Sequence, residues 1–360
     1  MKIRIRLSYD SFRELRESGS YYVDKTGIIK EYLSDGFEKA VLFTRPRRFG
    51  KTLTLTMFRD FLDVRQDSRE IFSGLRIMDS PEVVREYMNQ YPVVFISLKE
   101  VFGRNFEEVF RSFQIAVSRT CEELKEAFVD QRTDPLNMEA FLRLRRKESR
   151  QQDTEQALDL LCQMLRQVYG KPAFVLIDEY DVPMAKSFGT PHYDQVREMI
   201  ERTLSYVCKT NKNVQGVLIS GCLYAVKNST YTGVNNIIPY TVFSPLYDSA
   251  IGFTDEEVGR ILGDAGVMDQ RKVVCEWYDG YIFGREKMYC PWEVLCYVKS
   301  LLDGSYSETM GPKSYWMNTS DSSENLIHGF LGKTSKANER FELLLAGRTI
   351  DCRVGQLPTT

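Results

Sequence analysis

Apolar residues along this chain follow two rhythms. Four near-continuous apolar runs stand out: Ala40-Val41-Leu42-Phe43, Tyr91 to Leu98, Pro172 to Ile177 and Val214 to Gly221. Short runs of this kind predict strands buried on both faces, as in a parallel sheet lying between two layers. Between the runs, apolar residues return at helical spacing. Leu53, Leu55, Met57, Phe58, Phe61 and Leu62 predict a helix directly after the first run. Phe106, Val109, Phe110, Phe113, Ile115, Leu124 and Phe128 predict packing faces within a long helical stretch over 104–168, and residues 191–210 predict another helix. Ahead of the first run, Ser11 to Arg16 opens a short helix, Tyr21 to Asp24 is strand-like, and Thr26 is placed to cap a helix from Gly27 to Leu33. The charge run Arg143 to Asp153 predicts a solvated helix face, with a nucleic-acid or subunit contact as the sharper alternative.

This alternation predicts an α/β fold, a three-layer core with a mainly parallel sheet over residues 1–246, its N-terminal lead-in included, and the Gly50-Lys51-Thr52 turn after the first run makes a P-loop NTPase the expectation. The texture changes at about residue 247. Thr254 with Glu257 three residues on has the form of a capping box. Trp277 to Gly284 and Tyr289 to Leu295 are dense in aromatics. They predict a smaller helical lid over 247–335, with an aromatic core and a tight Asp279-Gly280 turn; base stacking is the competing reading. Residues 336–360 are expected to be a linker or a truncated tail.

The chemistry sits where the runs end. After the first strand comes a turn, Thr44 to Phe49, then Gly50-Lys51-Thr52 and the apolar helix. Strand, turn, Gly-Lys-Thr, helix is the context of a phosphate-binding loop, whose backbone N–H groups and helix N-terminus face an anion. The loop residues Arg47, Arg48, Phe49 and Gly50 are candidates to bind nucleotide with Lys51 and Thr52. Lys51 is suited to the β/γ-phosphates and the Thr52 hydroxyl to Mg²⁺. Arg45 occupies the position where the motif's first glycine would fall, and Pro46, Arg47 and Arg48 make the loop basic and stiff rather than glycine-rich. The third run ends in Asp178-Glu179. Asp178 is the second metal candidate, and Glu179 the candidate general base for the attacking water. Asp181 is read as supporting them. The fourth run ends in Ser220-Gly221, which makes Ser220 a candidate γ-phosphate sensor.

These stretches carry a family resemblance. Tyr21-Tyr22-Val23-Asp24-Lys25-Thr26, Arg45-Pro46-Arg47-Arg48-Phe49-Gly50-Lys51-Thr52 and Ile177-Asp178-Glu179-Tyr180-Asp181 resemble the bacterial AAA-ATPase-like family. That family is often fused to a C-terminal PD-(D/E)XK nuclease-like domain, and its loop is commonly RPRRFGKT, so Arg45 follows the family's habit. The Asn235-Asn236 pair, the Trp277 to Tyr281 stretch and Tyr315 to Ser320 also match, and Lys227 and Asn228 lie in the polar loop between. Ser220-Gly221 stands for the family's Thr-Gly, and Cys290 for its Asn. The resemblance covers about residues 10–350 and implies ATP and Mg²⁺ as ligands, with nucleotide state coupled to a partner or nuclease module. No Asp…Glu-x-Lys pattern follows, which suggests a truncated product or an ATPase-only member. A non-hydrolysing switch and an interaction scaffold are the alternatives. An arginine, Arg47 or Arg48, acting on phosphates or across a homo-oligomer interface is a further expectation.

Composition narrows this little. Apolar content of 43% and charged content of 27% suit a globular chain, and a net charge of −2 gives no global case for nucleic acid. No run is long enough to span a bilayer and the N-terminus lacks a signal-peptide core, so a cytoplasmic protein without a membrane partner is expected. Eight cysteines without a C-x-x-C pair and only His192 and His328 disfavour a zinc site.

Overall fold

Each apolar run folds as a strand. In the computed structural model these are β1 (Ala40–Thr44), β2 (Val93–Ser97), β3 (Ala173–Asp178) and β4 (Val214–Gly221). The structure describes residues 3–306 apart from 8, 35, 130–132 and 225–233, together with 311–313 and 315. A fifth strand, β5 (Ile238–Tyr240), was not legible in the sequence. The sheet order is β2-β3-β4-β1-β5, and all neighbours run parallel. β5 is an edge strand, where Pro239 is tolerated because its missing N–H is not needed by a second neighbour.

Alternate residues feed opposite layers. Leu42, Ile96, Val175, Ile177, Val217 and Ile219 face one core, which also holds apolar faces of the Phe106–Leu124, Ala157–Tyr169 and Tyr193–Cys208 helices. Val41, Phe43, Val93, Phe174, Leu176 and Leu218 face the other, beneath the Gly27–Leu33 and Lys51–Leu62 helices. A strand buried on both faces has no polar side, which is why the runs are nearly unbroken. The register sets Thr44 beside Gly221 and Ser97 beside Asp178, so these strands end together at one rim.

Some expectations change. Tyr21 to Asp24 is not a strand. Thr26 precedes its helix but makes no side-chain cap; its hydroxyl donates instead to Asp24 Oδ1 at 2.6 Å. The stretch 104–168 divides into several helices, and Ile115 is 36% exposed rather than core. Much of the charge run from Arg143 to Asp153 is exposed.

The part after residue 247 is mixed rather than wholly helical. It has helices Asp255–Ala265, Arg271–Tyr278 and Pro291–Leu302. It also has three short strands, β6 (Phe253–Thr254), β7 (Tyr281–Phe283) and β8 (Glu286–Tyr289), in the antiparallel order β6-β8-β7. The tight turn of the β7–β8 hairpin is Gly284-Arg285, and Asp279-Gly280 only leads into β7. Gly284 has φ +54°, and a Cβ there would lie 2.7 Å from the Ser244 carbonyl oxygen, so a side chain does not fit. The capping box is present: Thr254 Oγ1 accepts from the Glu257 N–H, and Glu257 accepts from the Thr254 N–H. A third core joins Phe253, Val258, Ile261, Leu262 and Tyr297 to Ile5, with Ile3, Leu7, Tyr21 and Val23 packed against it. The N-terminal lead-in therefore packs with the last third of the described chain. Among the described residues no helix is long and apolar enough to cross a membrane. The described cysteines are free thiols, and no cluster of three or more metal-ligating side chains occurs among the described residues.

Candidate nucleotide site

The rim where β1, β3 and β4 end gathers most of the predicted site. Gly50 caps the Lys51–Leu62 helix with φ 92°, a left-handed conformation that glycine adopts without penalty. The helix N-terminus therefore starts directly at Lys51. Lys51 is buried, and its Nζ donates to the carbonyls of Arg45 at 3.0 Å and Pro46 at 2.9 Å; Cys222 Sγ lies 3.4 Å away. Thr52 Oγ1 donates to Asp178 Oδ2 at 2.9 Å. Asp178 is fully buried at the end of β3. Its Oδ1 accepts from the Ser220 hydroxyl at 2.6 Å, and Ser97 Oγ is 3.4 Å from its Oδ2. Ser220 also accepts the Glu179 N–H at 3.3 Å. One hydroxyl thus ties the end of β4 to both acids of β3.

Glu179 has φ +51°, an uncommon conformation for a non-glycine residue, worth roughly 1–3 kcal/mol of strain. Burial pushes its carboxyl above the usual carboxylate range and Asp178 adds to this, while Lys51 and Arg47 pull the other way. Asp181 is also raised by burial, opposed by the N–H groups of Cys222 and Leu223, which donate to its Oδ2 at 2.9 Å each. It is a brace for the chain leaving β4. Gly221 is required there, because a Cβ would meet the Tyr180 ring at 2.6 Å.

The three remaining loop residues take separate positions. Arg47 is exposed, and its charge reaches Glu179. The Arg48 guanidinium lies over the Trp292 ring at 4.2 Å, with the Arg48 backbone at φ +68°. The Phe49 ring is buried against Tyr281 and Phe283 of β7. Arg45 turns away from the phosphate side altogether. It is fully buried, and its guanidinium donates to the carbonyls of Thr44 at 2.9 Å, Tyr240 at 3.0 Å and Tyr247 at 2.6 Å, with the Phe283 ring 5.1 Å away. Burial lowers its pKa to about 10, which leaves it charged at neutral pH. Its presence in place of glycine stiffens the loop from behind rather than adding charge in front.

A family model described as Predicted AAA-ATPase matches residues 6–231, more than half of the chain. The chain belongs to the AAA-ATPase-like family. Membership supports an ATP-binding ATPase, and the five-stranded parallel sheet flanked by helices is consistent with a P-loop NTPase fold. A protein of Azotobacter chroococcum mcd 1, described only as an uncharacterized protein in vnfD 5'region, is 25% identical over 298 residues. That match takes in 81% of this chain and 51% of the other, so the chain spans about half the length of the curated relative it matches.

In this AAA-ATPase-like chain the tyrosine-rich motif before the loop has a structural setting. Asp24 Oδ1 accepts from the Thr26 N–H at 2.8 Å, and its Oδ2 from the Arg76 N–H at 2.7 Å. Lys25 Nζ reaches Glu257 Oε2 at 2.5 Å and the Ser249 carbonyl at 2.8 Å, so its ion pair is a long-range one with the capping box. Asn236 donates to the Cys208 carbonyl at 3.4 Å, an interaction with the end of the Tyr193–Cys208 helix. Lys227, Asn228, the stretch from Trp316 to Ser320, and residues 336–360 lie outside the described residues. Ser97, Cys222 and Trp292 are neighbours that the sequence reading missed; none of them lies in a motif that marks phosphate chemistry.

Proposed function

We propose that this chain binds ATP with Mg²⁺ and hydrolyses it, passing its nucleotide state to a partner or nuclease module through a lid formed by residues 247–335. The observation that carries the reading is the 2.9 Å contact between Thr52 Oγ1 and Asp178 Oδ2, beside Lys51 and Glu179, at the carboxyl ends of parallel strands. Ligands of open α/β sheets gather at such ends. A hydroxyl and a carboxylate are the hard oxygen donors that suit Mg²⁺, which commonly takes only one or two protein ligands beside phosphate and water. Thr52 and Asp178 would hold the ion. When bound, it would neutralise charge developing on the phosphates.

Lys51 would exchange its backbone carbonyls for phosphate oxygens. Its two carbonyl partners lie within the loop itself, so this movement needs no rearrangement of the sheet. Glu179 would accept a proton from the attacking water, and Ser220 would hold the Glu179 backbone and Asp178 in register. The coupling part of the reading is supported by Arg45 and Phe49, which join the back of the loop to the segment before the C-terminal sheet and to β7.

The test is nucleotide binding and phosphate release with Mg²⁺ for the native chain, Lys51→Ala and Glu179→Gln. The reading expects turnover in the native chain, no binding by Lys51→Ala, and binding without turnover by Glu179→Gln. Native binding without turnover would favour the switch reading. No nucleotide binding would leave the scaffold reading.

A further inference from the structure

A cavity of about 160 Å³ lies beside the loop, against Arg48, Phe49 and Gly50. Gly50, Leu53 and Thr54 line it from the start of the helix, Tyr22 from the N-terminal motif, and Gly252 and Trp292 from the C-terminal part. It is mainly apolar, and it runs along the flank of the Lys51–Leu62 helix from Gly50 to Met57. One of its lining residues is unusual. The Trp292 indole Nε1 is buried and has no hydrogen-bond partner. Buried polar groups in folded proteins are nearly always paired, and an unpaired one costs about 1–3 kcal/mol. Arg48, a residue of the loop itself, covers the same ring with its guanidinium.

We propose that this cavity seats the base of the bound nucleotide and that Trp292 is its recognition residue. The inference rests on the nucleotide reading and deepens it by naming where specificity resides. A flat heteroaromatic base fits an apolar cavity that offers a ring for stacking and one spare N–H donor. Stacking of a base on an aromatic side chain contributes about 1–3 kcal/mol, which matches or exceeds the guanidinium–indole contact it would replace. Arg48 would leave the Trp292 face as the base arrives and the indole would turn its N–H to a base nitrogen or oxygen. The released guanidinium, still part of the phosphate loop, would then be available to the phosphates. Tyr22 and Gly252 make the base contact at once the N-terminal motif and the C-terminal part, which joins three separate chain segments around one ligand.

The test compares binding of MgATP and of Mg²⁺ with inorganic tripolyphosphate, which has no base, to the native chain, Trp292→Phe and Trp292→Ala. The native chain should favour ATP. Trp292→Phe keeps the ring but not the donor, and should weaken ATP about 5-fold to 10-fold, the loss of one hydrogen bond of about 1 kcal/mol or slightly more. Trp292→Ala should weaken it further, about 30-fold or more. Tripolyphosphate binding should be unchanged in both, which also reports that the variants are folded. Equal ATP affinity in all three proteins would overturn the role of Trp292 while leaving the nucleotide reading intact. Loss of ATP and tripolyphosphate together would assign Trp292 to loop structure instead of base recognition. A native chain that prefers tripolyphosphate, or treats the two alike, would remove the base seat. A native chain that binds neither would overturn the nucleotide reading and this inference with it.

Discussion

The phosphate loop has two sides, and they are built differently. In front, Thr52 and Ser220 are hydrogen-bonded to Asp178, and Lys51 is held by the Arg45 and Pro46 carbonyls. Most of these partners are side chains or loop carbonyls that a ligand could replace. Behind, Arg45 is hydrogen-bonded to backbone carbonyls and Phe49 is packed against the Tyr281 and Phe283 rings. The difference shows how one loop can be both exchangeable and fixed. On the proposed reading the front's contacts are traded for those of a ligand, and the back holds the frame against which the trade occurs.

The largest effects should come from the front and touch function alone. Lys51→Ala should lower nucleotide affinity by at least about 100-fold, read by equilibrium binding, with a melting temperature close to native, since a charge–phosphate contact of this kind contributes several kcal/mol. Glu179→Gln should slow phosphate release by about 100-fold or more and keep binding, which single-turnover assays would separate. Turnover unchanged in Glu179→Gln would break the assignment of the base.

Behind the loop the sign of the comparison reverses. Arg45→Met strands three buried carbonyls and should cost about 2–4 kcal/mol of stability, measured by denaturant unfolding. Its nucleotide affinity should fall less than that of Lys51→Ala. A stable Arg45→Met protein with lost affinity would place Arg45 on the phosphate side after all. A smaller loss, about 1–2 kcal/mol, is expected for Lys25→Met, because Lys25 and Glu257 are only 14% and 16% exposed and removal leaves a largely buried carboxylate that keeps the Thr254 N–H as a partner. A double-mutant cycle with Glu257→Gln should recover most of it as coupling. The smallest effect should be Ser220→Ala, with turnover reduced roughly tenfold and stability by about 1 kcal/mol, as one hydroxyl bridge is lost.

The front was legible in the sequence and the back was not, for a physical reason. Lys51, Thr52, Asp178, Glu179 and Ser220 all stand where an apolar strand ends or a helix begins, so local patterning locates them. Arg45 stood out only as a missing glycine, because its partner Tyr240 is 195 residues away. Lys25 carries no local sign of its partner, since Glu257 is 232 residues distant. The short strands β5 to β8 escaped notice because two to four residues cannot establish a period of two against the surrounding aromatics. Trp292 was counted among core aromatics, and only the missing acceptor on its Nε1 distinguishes it.

The clasp between Lys25 and Glu257 has a consequence for biosynthesis. The ribosome releases Ile5, Tyr21 and Lys25 early, but Phe253, Glu257 and Tyr297 that receive them emerge only after the whole parallel sheet. The sheet's own strands can pair while the first residues wait unpartnered, since domains generally condense from the N-terminus during synthesis. Closure of so long a loop is slow compared with local pairing. Phe12, Arg13 and Asp24 are held by Thr56, Asp60 and Arg76, which are made early, so the last step of folding should be the docking of residues 3–7 and of the Lys25 side chain, and residues 3–7 should be the segment most open to protease in nascent chains that stop before residue 257.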